Sequence, residues 1–239
     1  MILDMHSHTS GISTCCQADA ETVIKIAKDT LIEGLVLTNH YQSAYVVNND
    51  SLAFAEKYIE EYKTFDKIGE REGVKTFFGL EVTAEKHKNA HLLVYGVDEE
   101  FVLKYHDMFA FTQEKLYGLV KDNGGILVWA HPFRGGYNDS VSLKYLDGLE
   151  INCHPKYGKT YLDEISALAK ENNLFLTCGG DYHHDTPYRP YCGTVFNDDV
   201  KDLSDITNYL KTSNEINLLV QEPYAGNSFI YTYLNNGKF

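Results

Sequence analysis

Residues 1–11, MILDMHSHTSG, run apolar as far as Met5 and then break into His6-Ser7-His8. Strand side chains alternate with period two, so His6 and His8 lie on one side of an extended chain and can chelate one ion. Asp181-x-His183 repeats that spacing near the other end of the chain. Outward from the opening run, six more apolar runs follow at 35–37, 74–82, 92–97, 126–129, 146–151 and 174–177.

Helical periodicity fills the gaps between these runs. After Asp19, placed as an N-cap, residues Ala20, Val23, Ile24, Ala27 and Leu31 share a face; after Ser51, Phe54, Tyr58, Tyr62 and Phe65 form a stripe. Thr112 is placed to cap 113–122 and Thr160 to cap 161–171, with Gly34, Gly73 and Gly124 as helix stops. Alternating strands and helices predict a parallel α/β sheet. With no Pro- or Gly-rich linker, the expectation is a single domain over 1–239, a distorted seven-stranded (β/α)7 barrel, mostly parallel. One connection, between 82 and 91, is too short for a parallel crossover and predicts a hairpin that returns His91 beside Glu81.

The composition narrows the function. Lys and Arg number 21 against 34 Asp and Glu, a formal charge of −13 over 239 residues. Such an acidic chain is a poor partner for duplex nucleic acid, which needs clustered cations against phosphate. No apolar run has the roughly 18 residues of a membrane span. The opening lacks the basic segment of a secretory leader, and five cysteines at irregular spacing argue against a disulfide framework. A cytoplasmic protein is expected.

Barrel enzymes collect functional groups where strands leave the sheet. Here the runs end in His6-Ser7-His8, Asn39-His40, Glu81, Ala130-His131-Pro132, Glu150-Ile151-Asn152 and Asp181-Tyr182-His183, with His91 joining through the hairpin. A lone His-x-His is weak, since surface and core histidines are common. Repetition at successive strand ends is different, because such groups are costly to bury without a partner. Imidazole with carboxylate suits Zn, Mn or Fe, and the number of candidates points to two or three divalent ions, with Glu81 bridging.

The segments LDMHSHTSG, GLVLTNHY, FFGLEVTAE, HLLVYGV, WAHPFR, DGLEI and GGDYHH, in this order, resemble the PHP (polymerase and histidinol phosphatase) family of metal-dependent phosphoesterases. The resemblance spans Leu3 to His184 and implies a distorted seven-stranded barrel. It implies a first metal on His6, His8, Glu81 and Asp181, a second on Glu81, His91 and His131, and a third on His40 and His183. Glu81, His131, Asp181 and His183 are then the catalytic set, with Arg134 and His184 toward the substrate. The implied reaction is hydrolysis of a small phosphomonoester, of a sugar, amino alcohol or nucleotide, by a hydroxide bridging the ions. Another metallohydrolase of amidohydrolase type, or a non-catalytic metal-stabilised module, are the alternatives.

Two positions depart from the family pattern. Asn39 stands where Asp is common, and the window that usually gives the third metal an Asp or His holds Thr14 and Cys15, then Cys16. A thiolate ligand and an unligated thiol both fit that window. His87 and His106 read as solvent-facing, His154 fits no ligand position, and 41–50 and 135–140 are lid candidates by composition.

Overall fold

A computed structural model describes residues 1–30, 32–83, 90–134, 141–184, 186, 188–197 and 200–235. Leu31, His87 and the lid candidate at 135–140 lie outside the described residues. Each of the seven apolar runs contains a strand: β1 (Ile2–Ser7), β2 (Gly34–Leu37), β4 (Lys75–Thr83), β5 (His91–Tyr95), β6 (Ile126–Trp129), β7 (Gly148–Asn152) and β8 (Phe175–Gly179). These seven pair in that order. The sheet then nearly closes, because Tyr182 bridges Ser7 and the Asp181 N–H donates to the His6 carbonyl at 2.8 Å.

The expectation of seven mostly parallel strands needs correcting. Four further strands are present among the described residues: β3 (His40–Tyr41), β9 (Gly193–Val195), β10 (Glu215–Val220) and β11 (Phe229–Leu234). β3 lies parallel to β4, and β9, β10 and β11 extend the sheet antiparallel from the start of β1. β5 runs antiparallel to both β4 and β6, so the sheet is mixed. The reversal has the cause expected of it: the 83–91 connection closes a hairpin, pairing Thr83 with His91 and Glu81 with Leu93.

Among the described residues, six α-helices cover the sheet: α1 (Ala20–Asp29), α2 (Ser51–Glu72), α3 (Glu99–Lys104), α4 (Gln113–Asp122), α5 (Leu162–Asn172) and α6 (Leu203–Thr212). Asp19 and Thr112 cap α1 and α4 as expected, their side chains accepting from the Thr22 and Lys115 N–H groups. Thr160 does not cap α5; its hydroxyl bonds to Glu222 instead, and Tyr161 opens the helix with no side-chain cap bond. Gly34 likewise stops no helix, since α1 ends at Asp29 with Thr30 as its C-cap and Gly34 begins β2. Gly73 does end α2, in the left-handed region at φ 74°. Among the described residues, no helix is long and apolar enough to cross a membrane.

Apolar burial fixes the register that places the polar strand ends. In β2, Leu35 and Leu37 pack with α1 and Phe65 of α2, while Val36 joins the larger core with Leu3 and Met5. A one-residue slip would exchange these faces and carry Asn39 out of the mouth. Tyr41 is fully buried within the core, so the start of the 41–50 lid candidate is structural.

At Gly193 a side chain is sterically refused: an added Cβ would lie 2.4 Å from the Leu3 carbonyl oxygen. Gly193→Ala is expected to destabilise the fold by about 2 kcal/mol or more, since overpacking against backbone cannot relax cheaply. Urea unfolding followed by Trp129 fluorescence checks this; an unchanged midpoint would contradict the β9–β1 packing.

Candidate metal centre

The sequence-predicted ligands do converge. Glu81, fully buried on β4, faces nitrogens of five imidazoles: Nδ1 of His40 at 2.6 Å, Nδ1 of His91 at 2.7 Å and Nε2 of His131 at 3.1 Å, with Nε2 of His8 at 3.4 Å and Nε2 of His6 at 3.5 Å. Asp181 Oδ1 lies 3.0 Å from His8 Nε2, 3.4 Å from His6 Nε2 and 3.4 Å from His183 Nδ1. The groups His6–His8–Glu81, His40–Glu81–His91 and His8–His40–His183 each bring their donor atoms within 4.8 Å of one another.

The hydrogen bonds behind these side chains say where the lone pairs point. His6 Nδ1–H donates to Glu150 Oε1 at 2.8 Å, which leaves Nε2 facing Glu81 and Asp181. Ser13 Oγ donates to Asn39 Oδ1 at 2.8 Å and accepts from the His40 N–H at 3.0 Å. Its one proton being spent, Ser13 can only accept from His8 Nδ1–H at 3.0 Å. The lone pair of a neutral His8 therefore sits on Nε2, against carboxylate oxygens of Asp181 and Glu81. Acceptor meets acceptor unless a cation stands between them. His6 Nε2, His40 Nδ1 and Glu81 Oε2 are buried and lack a hydrogen-bond partner, as ligand atoms awaiting an ion would. The donor set fits divalent Zn, Mn or Fe.

Electrostatics shows the same frustration. Burial works to raise the Glu81 pKa, but His91, His40 and His6 hold it well below the usual carboxylate range. Asp181 is depressed likewise, burial being overcome by His6 and Arg134. Burial lowers the histidines, yet Glu150, Asp181 and Glu81 carry His6 well above its ordinary value, and Glu81 lifts His40 to about 10. Burial and His183 push His8 well below, and burial and Arg134 bring His131 to about 4.

Two of these residues sit in strained backbone. His131 and Asp181 have φ of 35° and 49°, a region non-glycine residues rarely occupy. Each is pinned by its own N–H, His131 to Glu150 Oε2 at 2.8 Å and Asp181 to the His6 carbonyl at 2.8 Å.

Arg134 borders the cluster, its Nη2 donating to Asp181 Oδ2 at 2.6 Å and Asn152 Oδ1 at 2.8 Å, with the guanidinium 3.7 Å from the Tyr157 ring centre. His184 is exposed and its ring lies by Tyr182, outside these ligand groups. His106, expected to face solvent, is half-buried, its Nδ1 2.8 Å from Ser51 Oγ. His154 is buried behind the centre, its ring 6.1 Å from that of His183.

Sequence reasoning missed the residues that orient the ligands. Glu150 was visible at a strand end but given no role, although it holds both His6 and His131. Asp4 was missed too, although Asp4-x-His6-x-His8 continues the same period; it accepts from the N–H groups of His6 at 3.0 Å and Gly180 at 2.8 Å and pairs with buried Arg189.

No protein-family model and no curated protein matches the sequence. The fold is similar to solved structures. PsfC from Pseudomonas syringae aligns at TM-score 0.61 and 20% identity over 92% of this chain and 91% of that one. A two-domain protein from Bacteroides vulgatus, described as containing a predicted PHP-like metal-dependent phosphoesterase, aligns at 0.54 and 13% over 92% of this chain. This chain spans only 58% of that protein. An amidohydrolase from Chromobacterium violaceum aligns at 0.51 and 15%, over 80% of this chain and 91% of that one. At these identities the likeness is one of fold.

Asn39 Nδ2 donates to Thr9 Oγ1 at 2.9 Å, and Thr9 Oγ1 donates to Glu61 Oε1 at 2.6 Å. A carboxylate cannot supply the first of these bonds. Asn39→Asp is expected to cost about 1–3 kcal/mol, because it unpairs Thr9 and buries a second charge near Glu61; thermal melts check this, and an equal or higher melting temperature would contradict it.

The charge of a protonated His40, attracted by the Glu81 carboxylate, gives the metal-free protein stability that is full below pH 6.5 and lost as pH rises toward about 10. The unfolding free energy in chelator, read by urea titration, is expected to fall between pH 7 and 9 by up to about one kcal/mol per pH unit, and His40→Gln is expected to flatten that limb. Identical slopes in the two proteins would contradict the pairing.

Proposed function

We propose that this chain is a PHP-like metal-dependent phosphoesterase acting on a small phosphomonoester. The observation that carries the reading is the single carboxylate, Glu81, facing five imidazole nitrogens within 3.5 Å at the mouth of the barrel. In this proposal His6, His8, Glu81 and Asp181 hold one ion, Glu81, His91 and His131 a second, and His40 and His183 a third. Bound divalent ions supply Lewis acidity toward phosphoryl oxygens and a nucleophilic water at neutral pH.

The protein's part is to fix donors in place before substrate arrives. Glu150 keeps the Nδ1 proton on His6, and Ser13 keeps it on His8, so both Nε2 lone pairs point into the mouth. The strained backbone at His131 and Asp181 aims both side chains at the same volume. Arg134, anchored through Nη2 to Asp181 and Asn152, presents the rest of its planar fork to phosphoryl oxygens, which it suits by geometry and charge. Tyr157 stacked on its guanidinium limits the side chain's freedom. The reading takes a small soluble phosphoester as partner and excludes duplex nucleic acid, since the net charge of −13 repels a polyanion.

His131→Ala and Asp181→Asn are expected to lower turnover of an aryl phosphate by at least about a thousandfold with circular dichroism unchanged. Arg134→Ala is expected to act mainly on KM. Wild-type turnover in both ligand variants would overturn the proposal. Hydrolysis of amides or lactones but not phosphoesters would establish the amidohydrolase alternative.

A further inference from the structure

All five cysteines are thiols. Cys15 is exposed, and Cys16 lies under α1 with its sulfur 3.5 Å from the carbonyl oxygens of His8 and Ala18. The other three converge. Cys153, Cys178 and Cys192, each at most 1% exposed, bring their sulfurs within 4.8 Å of one another, and those of Cys153 and Cys178 are 3.7 Å apart. They come from three segments: Cys153 one residue beyond β7, Cys178 within β8 and Cys192 immediately before β9.

Strand alternation sets this cluster on the face of the sheet opposite Glu81 and its imidazoles. Glu150 and Asn152 on β7 face the mouth, where they bond to His6 and Arg134. Cys153 continues the ladder, its N–H donating to the Gly179 carbonyl at 2.9 Å, so its side chain falls on the other side. The Cys178 N–H donates to Thr194 Oγ1 at 3.0 Å and its thiol to the Leu219 carbonyl at 3.3 Å, toward β9 and β10. Leu219 in turn pairs with Gly193, the neighbour of Cys192. The three sulfurs thus stand where the barrel meets its antiparallel extension.

We infer that Cys153, Cys178 and Cys192 form a second, structural metal site, taking a thiophilic divalent ion of zinc type. The inference does not depend on the centre at Glu81. Two thiolates bound to a tetrahedral zinc at about 2.3 Å stand about 3.8 Å apart, close to the spacing already present. An all-sulfur donor set selects Zn over Mn or Mg. On binding, the three Sγ–H bonds break, the protons leave to solvent, and each sulfur bonds to the ion as thiolate. Burial holds the thiols of Cys178 and Cys192 well above their ordinary range, so these protons leave only in exchange for a cation. The ion ties β9 to the barrel. β9 has three residues and meets β1 through two residue pairs, so a bond shared by three segments adds a link that the backbone there lacks.

Zinc X-ray absorption on the full-length Cys15→Ala protein tests this, the substitution removing the exposed thiol from the signal. The protein is expressed with zinc supplied, so that the closed core is loaded as the chain folds. The expected result is a sulfur shell at about 2.3 Å beside nitrogen and oxygen at about 2.0 Å. Adding Cys192→Ala is expected to lower the sulfur amplitude at least about twofold. Nitrogen and oxygen alone in the Cys15→Ala protein would overturn the inference, with no core variant needed, and leave the centre at Glu81 standing. A smaller fall in Cys192→Ala, or none, would overturn it as well. So would a Cys153–Cys178 disulfide, read as two thiols missing when the native chain is denatured without reductant.

Discussion

A fully buried carboxylate facing five imidazole nitrogens is the constraint on which the arrangement turns. Glu81 lies in the sheet with no access to water, and burying it without compensation would cost several kcal/mol. Protons can satisfy part of this demand, as the raised pKa values of His6 and His40 show. They cannot satisfy all of it, since His8 and His131 are driven toward the neutral form by the same crowding. Divalent cations among these donors would satisfy lone pairs that protons leave unpaired. The outer hydrogen bonds, from Glu150, Ser13, Asn39 and Asp4, make sense as devices that keep those lone pairs aimed inward.

Strand order follows from the same need. β1 brings His6 and His8, the β3–β4 pairing sets His40 directly opposite Glu81, and the β4–β5 hairpin returns His91. β1 is shared lengthwise: its first residues pair with β9, while its far end meets residues 181 and 182. That division lets the barrel close near the mouth, where Asp181 and His183 must reach the cluster.

The seven staves and the histidines and carboxylates that converge on Glu81 were legible because both follow local rules. Apolar runs mark buried strands, and chemistry-bearing residues mark their ends. The hairpin was legible from the short 83–91 connection. Less of the remainder could be read. β9 has only three residues, and β10 and β11 pair with each other and with β9 rather than through helices, so the alternation of strand and helix gave no signal for them. Phe229–Leu234 carries a local strand signal only in its aromatic and β-branched composition. Thr160 failed as a cap because Glu222, 62 residues away, competes for its hydroxyl, a contact local pattern cannot report. Asn39, a departure from the motif pattern the sequence resembles, is a fitted residue once Thr9 and Glu61 are in view.

The central claim is that cations, not protons, resolve the crowding around Glu81. Crystals grown from zinc- or manganese-saturated protein, measured on both sides of the metal's absorption edge, test it most directly. The account predicts at least two anomalous peaks within coordination distance of Glu81, flanked by His6, His8 and Asp181 on one side and by His91 and His131 on the other. Density without a peak at Glu81, with the imidazoles bonded straight to the carboxylate, would contradict it.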